Sequence, residues 1–218
     1  MEQQTHTEWP ETKRKLVDAG VNLMRSRGFN GTSLDNICGA AQVTKGGFFH
    51  YFKSKEEIAQ AALAQFSQAK ASALQSAPFR KLADPLDRVL GRLDFLEKSL
   101  TSSPSPKGCL IGMFAQELSF TNAKLRNACH ESFSRMGRDL ETDLAAAKTL
   151  HNPKAAFSPK SVAAFYVAIL QGSLIMAKTE ESNAVIMANL EHFRHYLEGL
   201  FPKARKPKSK RGTKPAAR

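Results

Sequence analysis

A chain of 218 residues with 42% hydrophobic content is long enough for one or two globular domains with a true core, which excludes a disordered protein. No run approaches about 18 consecutive strongly apolar residues, and the N-terminal MEQQTHTEWPETKRK lacks the apolar region of a secretory signal, so a cytoplasmic chain with no membrane partner is expected. The formal charge of +12 invites a nucleic-acid reading, but residues 202 to 218 carry eight basic residues and no acid, so this tail supplies +8 and the rest of the chain only +4.

The first helix is expected to begin after Pro10 and run to about Arg27, with Leu16, Ala19, Leu23 and Met24 facing inward and Gly28 as its stop. Its basic start, Lys13, Arg14 and Lys15, opposes the helix dipole, which suits nearby phosphates and a solvated helix end alike. From Gly28 to Lys55 the chain reads GFNGTSLDNICGAAQVTKGGFFHYFKSK, two short helices joined by a tight turn. Ser33 can cap the first, which turns Leu34, Ile37, Cys38 and Ala41 inward; Gln42 and Val43 make the turn; Thr44 can cap the second, which runs through Tyr51.

The adjacent Gly46 and Gly47 cost this second helix roughly 1–2 kcal/mol relative to alanine. Close approach of another backbone, such as a phosphate chain, is the simplest reason for them. Thr44, Lys45, His50 and Tyr51 form the exposed face, while Phe48 and Phe52, four apart, anchor the helix to the core. Such a unit suits a recognition helix in a major groove, although a plain helical hairpin with a solvated face fits the same pattern.

Ser54 is expected to cap a fourth helix, with Glu57 completing a capping box and Lys55 placed to hold a phosphate at its first turn. Through Ile58, Ala62, Leu63 and Phe66 this helix reaches about Leu74 and links head to body, so any signal must cross it. After a boundary near 77–85, a fifth helix carries Leu86, Val89, Leu90, Leu93 and Leu96, followed by the breaker-rich loop TSSPSPK from Thr101 to Lys107.

Gly108-Cys109-Leu110 then opens another helix, and both a helix start and the adjoining Lys107 favour thiolate over thiol at Cys109. A small buried residue is the alternative reading of that cysteine. Cys38 belongs to the apolar face of the head and Cys129 to the inward face of an amphipathic helix spanning about Asn122 to Ala147. Three such scattered cysteines make no disulfide framework, and His192 and His195 find no third ligand by spacing, so no metal is expected.

A helix starting near Pro159 carries no charge from Val162 to Ala177, which implies burial on most sides, and Ala164, Ala168 and Gly172 form a stripe of small residues on it. In the last helix Ile186, Leu190, Phe193, Leu197 and Leu200 recur as a heptad-like seam. Pairing the two helices with their copies predicts a four-helix dimer interface containing Phe165, Ala168, Gly172, Leu190, Phe193 and Leu197. The prolines and like charges of the tail prevent a packed core there, leaving a disordered extension that touches phosphates or merely solubilises.

The run TKGGFFHYFKSKEE from Thr44 to Glu57, preceded by Gly28-Phe29 and Thr32-Ser33, resembles the DNA-binding domain of TetR/AcrR-type bacterial transcriptional repressors, continuously over about Thr12 to Leu63. The resemblance implies an all-α homodimer with a three-helix head and helix-turn-helix over 10–55, and a larger helical ligand-binding and dimerisation domain over 56–201. Helix 54–75 joins the two, and the tail 202–218 follows. It implies double-stranded DNA, a second copy of the chain and a small-molecule inducer as partners, no cofactor, and DNA contacts from Thr32, Ser33, Thr44, Lys45, Gly46, Gly47, Phe49, His50, Tyr51 and Lys55. Phe49 departs from the family, whose tyrosine there reaches a phosphate through its hydroxyl; His50 and Tyr51 inherit that role.

The segments GCLIGMFAQEL from Gly108 to Leu118 and LQGSLIMAK from Leu170 to Lys178 are similar to a subgroup that includes sensors of electrophiles such as N-ethylmaleimide. That similarity implies Cys109 as sensor with Lys178 beside it, whereas other relatives with the same segment bind ordinary metabolites. Two rivals stand against a ligand- or electrophile-responsive repressor: a thiol enzyme using Cys109, and an architectural DNA-binding protein dominated by its tail. The first lacks a histidine placed beside the cysteine, a phosphate loop or a carboxylate pair, so a regulator rather than an enzyme is expected.

Overall fold

The structure, a computed structural model, describes residues 9–101 and 108–202; the expectations for Ser102 to Lys107 and for the tail beyond Pro202 lie outside the described residues. Among the described residues all regular structure is helical: α1 (Glu11–Arg27), α2 (Leu34–Ala41), α3 (Lys45–Tyr51), α4 (Lys55–Gln75), a 3-10 turn (Pro78–Lys81), α5 (Pro85–Thr101), α6 (Leu110–Leu118), α7 (Ala123–His151), α8 (Pro159–Glu180) and α9 (Ala184–Leu200).

Local chemistry accounts for most boundaries. Gly28, at φ +79°, stops α1 and donates its N–H to the Met24 carbonyl. Ser33 and Asn36 cap α2 reciprocally, each side chain accepting from the other's backbone N–H at 3.1 Å. Gln42, left-handed at φ 55°, ends α2, and the Thr44 hydroxyl accepts from Gly47 N at 3.1 Å to start α3. At α4 the Ser54 hydroxyl accepts from Glu57 N at 3.3 Å, but the Glu57 carboxylate reaches one residue beyond the expected box, to Lys53 N at 2.7 Å.

Two apolar cores form, and they run across the expected division of the chain at residue 55. The first joins Leu16, Ile37, Phe48 and Ile58 of α1–α4 to Leu110, Phe114 and Leu118 of α6 and to Leu125 and Cys129 of α7. The second packs Val89 and Leu93 of α5 with Leu140 and Leu144 of α7, Tyr166 and Leu170 of α8, and Ile186, Leu190, Phe193 and Leu197 of α9. The 29 residues of α7 extend roughly 43 Å at 1.5 Å per residue, and Met136 touches both cores. Polar pairs reinforce the second: Asp143, itself buried, accepts from Arg80 at 3.2 Å and Arg88 at 2.8 Å, tying the 3-10 turn and α5 to α7.

Two expectations about the last helices need correction. The seam Leu190, Phe193 and Leu197, with Ile186, is buried inside its own chain against α5, α7 and α8, so it cannot face a second copy. Nor is α8 enclosed: Phe165, Ile175 and Met176 stand 46%, 47% and 48% exposed, and Ala164, Ala168 and Gly172 are exposed too. Pro159–Glu180 is long and apolar enough to cross a membrane by length and composition, yet Val162, Tyr166, Leu170 and Ala177 bury one side of it in the protein core.

Candidate nucleic-acid interface and effector site

The outer face of α3 carries the expected donors. Thr44, Lys45, Gly46, Phe49 and His50 are exposed and Tyr51 half-buried, over a floor of fully buried Phe48 and Phe52. The two glycines have different reasons. A Cβ at Gly47 would stand 2.8 Å from Cγ1 of Val43, so packing of the turn excludes it, whereas one at Gly46 would meet only the Thr44 hydroxyl, at 3.9 Å. Nothing inside the chain therefore requires glycine at 46, which leaves the bare surface for something outside it. Lys45 pairs with Asp35 at 2.8 Å, a contact that raises the lysine pKa; both partners are solvent-exposed, so the pair contributes little and can yield to a phosphate. Phe49 is 54% exposed with no polar atom to offer, its ring edge-on to Phe48.

Thr32 and Lys55 are placed otherwise than expected. Thr32 is completely buried and its hydroxyl donates to the Gly28 carbonyl at 2.7 Å, so its side chain is turned away from any DNA. The Lys55 ammonium donates to the carbonyls of Phe29 and Thr32, both at 3.1 Å, and sits 4.1 Å from the centre of the Phe29 ring. It is a strut for the turn between α1 and α2. Ser33 stays exposed, its oxygen accepting at the cap while its own hydrogen remains for another acceptor.

The opposite side of the same turn is held by α6. The Glu117 carboxylate accepts from Phe29 N at 3.1 Å and from Asn30 N at 2.8 Å, and the Phe29 ring meets Phe114 edge-on at 6.1 Å. A Cβ on Gly28 would collide with that carboxylate, so the position needs glycine both for its backbone angle and for this contact. At the other end of α6, Arg25 of α1 donates from Nε to the Gly108 carbonyl at 3.1 Å and lies over Phe66 of α4. Both ends of α6 thus grip the head directly, and α4 is not the sole link. Sequence reasoning missed Arg25 and Glu117, whose partners lie 83 and 87–88 residues away, beyond any periodicity.

Cys109, half-buried, is the residue that starts α6. With Gly108, Met113, Gln171 and Lys178 it lines a cavity of about 230 Å³, so the two residues implied by the resemblance do meet at one site. The stem of Lys178 runs along Gly108, and its ammonium lies 3.9 Å from the Met113 sulfur. A larger cavity, about 720 Å³, adjoins it between α6, α7 and α8, lined by Gly112, Phe133, Ala163, Val167 and Gln171 and edged by Arg138 and Lys160, both exposed. The other cysteines are buried. Burial, aided by negative charge at Cys109, pushes the Cys129 thiol up to about 11, and burial with Asp35 raises that of Cys38. His195 pairs with Glu191 at 3.2 Å, and among the described residues no three metal-ligating side chains cluster.

An all-helical body whose N-terminal helix pair offers an outward recognition helix, and whose interior holds an apolar cavity coupled to that pair, is the architecture of a ligand-responsive DNA-binding regulator. The chain belongs to the TetR family of bacterial regulatory proteins: residues 16–62 match that family, and residues 85–192 match the LmrA/YxaF-like transcriptional regulator C-terminal domain. It is a transcriptional regulator and not an enzyme.

Similar curated proteins include the transcriptional repressor DhaR of Mycobacterium sp. (strain GP1), 26% identical over 78% of this chain and 84% of DhaR. The repressor NemR of Escherichia coli K12 is 26% identical over 88% of this chain and 96% of NemR. Among solved structures, the reduced form of E. coli NemR matches with TM-score 0.75 and 25% identity, covering 85% of this chain and 96% of that one. A TetR regulatory protein from Rhodobacter sphaeroides matches in fold with TM-score 0.77 over 85% and 99%.

Proposed function

We propose that this regulator is a cytoplasmic repressor that binds a pseudo-palindromic operator in double-stranded DNA as a homodimer and is released when a small molecule occupies the α6–α8 cavities or modifies Cys109. The observation that carries this reading is the grip of α6 on the head: the helix that starts at Cys109 ends at Glu117 on the α1–α2 turn. A group added at Cys109 displaces α6, because packed interiors respond by moving helices rather than compressing, and α6 then pulls on the base of the helix-turn-helix. Ser33, Thr44, Lys45, Gly46, His50 and Tyr51 contact the DNA. The partner copy covers the open face of α8 around Phe165, Ala168 and Gly172, together with the exposed Tyr196 of α9. In this division of labour residues 10–55 read DNA, and residues 56–201 dimerise and sense.

Selection of bound sites from random duplex DNA should return two-fold related half-sites about 34–36 Å apart, or a multiple of that. Selected sites without two-fold symmetry would refute dimeric binding. Stoichiometric alkylation should then release operator from the native protein and from Cys38→Ser and Cys129→Ser, but not from Cys109→Ser. Release of the Cys109→Ser protein as well would make a reversible ligand of the larger cavity the inducer.

A further inference from the structure

The two cavities are one site divided by a single glycine and a single amide. They share Gly112, Gln116, Gln171 and Ile175. A Cβ at Gly112 would collide with Oε1 of Gln171 and lie 3.8 Å from Cβ of Cys109, so the bare face of Gly112 separates the thiol from the amide by one atom's width. Gln116 does not fill the gap; its amide donates back to the Gly112 carbonyl at 3.1 Å. Nε2 of Gln171 is buried and has no hydrogen-bond partner. A buried donor left unpaired is costly, and buried polar groups without partners mark a missing acceptor. Around it the larger cavity is lined by Phe133, Ala163, Val167 and Ala168, with its cations at the exposed rim. A neutral molecule with an apolar body and one carbonyl oxygen supplies what this site lacks.

We propose that Gln171 is the residue that selects the effector, and that it selects α,β-unsaturated carbonyl compounds, enones and quinones, with a ring or chain in the larger cavity. This rests on Cys109 being the reactive thiol of the function proposed above. The carbonyl oxygen accepts from Nε2 of Gln171, which places the adjoining carbon–carbon double bond across Gly112 toward Cys109. The Cys109 thiolate gives an electron pair to the β-carbon, forming the S–C bond. The double-bond pair moves between the α-carbon and the carbonyl carbon, and the carbonyl π pair moves onto oxygen. That enolate oxygen is the charge Gln171 holds. A proton from water then goes to the α-carbon and restores the carbonyl, so the thiol S–H has been added across the double bond with no oxidant or reductant.

The test compares the rate of Cys109 modification, read by mass spectrometry on the intact full-length protein, for cyclohexenone and for methyl methanethiosulfonate, a thiol reagent without a carbonyl. Gln171→Leu should slow cyclohexenone addition by about tenfold to hundredfold, the usual loss for one donor to a developing oxyanion, and leave the thiosulfonate rate within about twofold. Gly112→Ala, which strengthens the helix while driving a methyl group into the amide, should slow cyclohexenone selectively as well. In Cys109→Ser, saturated cyclohexanone should raise the melting temperature, and Gln171→Leu should abolish that rise. Equal slowing of both reagents, or unchanged cyclohexenone rates in both variants, would overturn the assignment of Gln171. Retained selectivity in a protein whose alkylation fails to release operator would instead refute Cys109 as the switch while leaving the carbonyl site intact.

Discussion

Replacing Glu117 with alanine removes the two hydrogen bonds that fasten α6 to the α1–α2 turn. Each joins a carboxylate to a backbone N–H, and such charge-assisted bonds contribute about 1.5–3 kcal/mol when shielded. Asn30 is exposed and Phe29 buried, so water replaces the bond to Asn30 and only the bond to Phe29 is lost nearly in full, a total near ~2 kcal/mol. In a chain of this size that lowers the melting temperature by about 4–8 °C. The larger consequence is for the switch. If α6 transmits its position through Glu117, about 2 kcal/mol of coupling disappears, and the ratio of operator affinities before and after alkylation of Cys109 falls by roughly 30-fold. Fluorescence anisotropy with labelled operator, on native and Glu117→Ala proteins, each unmodified and alkylated, forms the double-mutant cycle that reads this ratio. Glu117→Gln, keeping one acceptor, should fall between. An unchanged ratio in Glu117→Ala would show that α6 does not act through the turn and return the signal to α4 alone.

The glycines should separate by location. Gly28→Ala, strained at φ +79° and colliding with Glu117, should cost more than about 2 kcal/mol in denaturant unfolding, whereas Gly46→Ala should stabilise the protein by up to about 1 kcal/mol yet weaken operator binding. Lys55→Met should destabilise the head by about 1–3 kcal/mol without changing the salt slope of operator binding, because its ammonium serves two carbonyls and not a phosphate. Thiol labelling in the native state should reach Cys109 first. Cys129, with its pKa near 11, is thiolate in only about one molecule in a thousand at pH 8, and its labelling should accelerate as pH rises toward that value. Phe165→Glu or Gly172→Glu should yield a folded monomer by light scattering, since both sit on the open face of α8, whereas Phe193→Glu, in the buried seam of α9, should unfold the chain.

Much of this regulator was determined by its sequence alone. The caps at Ser33, Thr44 and Ser54, the stop at Gly28 and the inward spacing of Leu16, Ile37, Phe48 and Ile58 are local features, set by backbone groups within four residues or by one helical period, and they specify the head and its recognition helix. The pairing of Cys109 with Lys178 at one cavity followed from segment resemblance. Tertiary structure decided what each face meets. The seam Leu190, Phe193 and Leu197 is apolar whichever partner it has, and periodicity cannot tell a core within one chain from an interface between two. Thr32 and Lys55 carry donors suited to phosphate, but the carbonyls of the α1–α2 turn lie closer and claim them. Glu117, Arg25 and Gln171 had no sequence signal, because a carboxylate bridging two amides, a guanidinium on a carbonyl and an unpaired amide between two cavities exist only once distant helices are packed together.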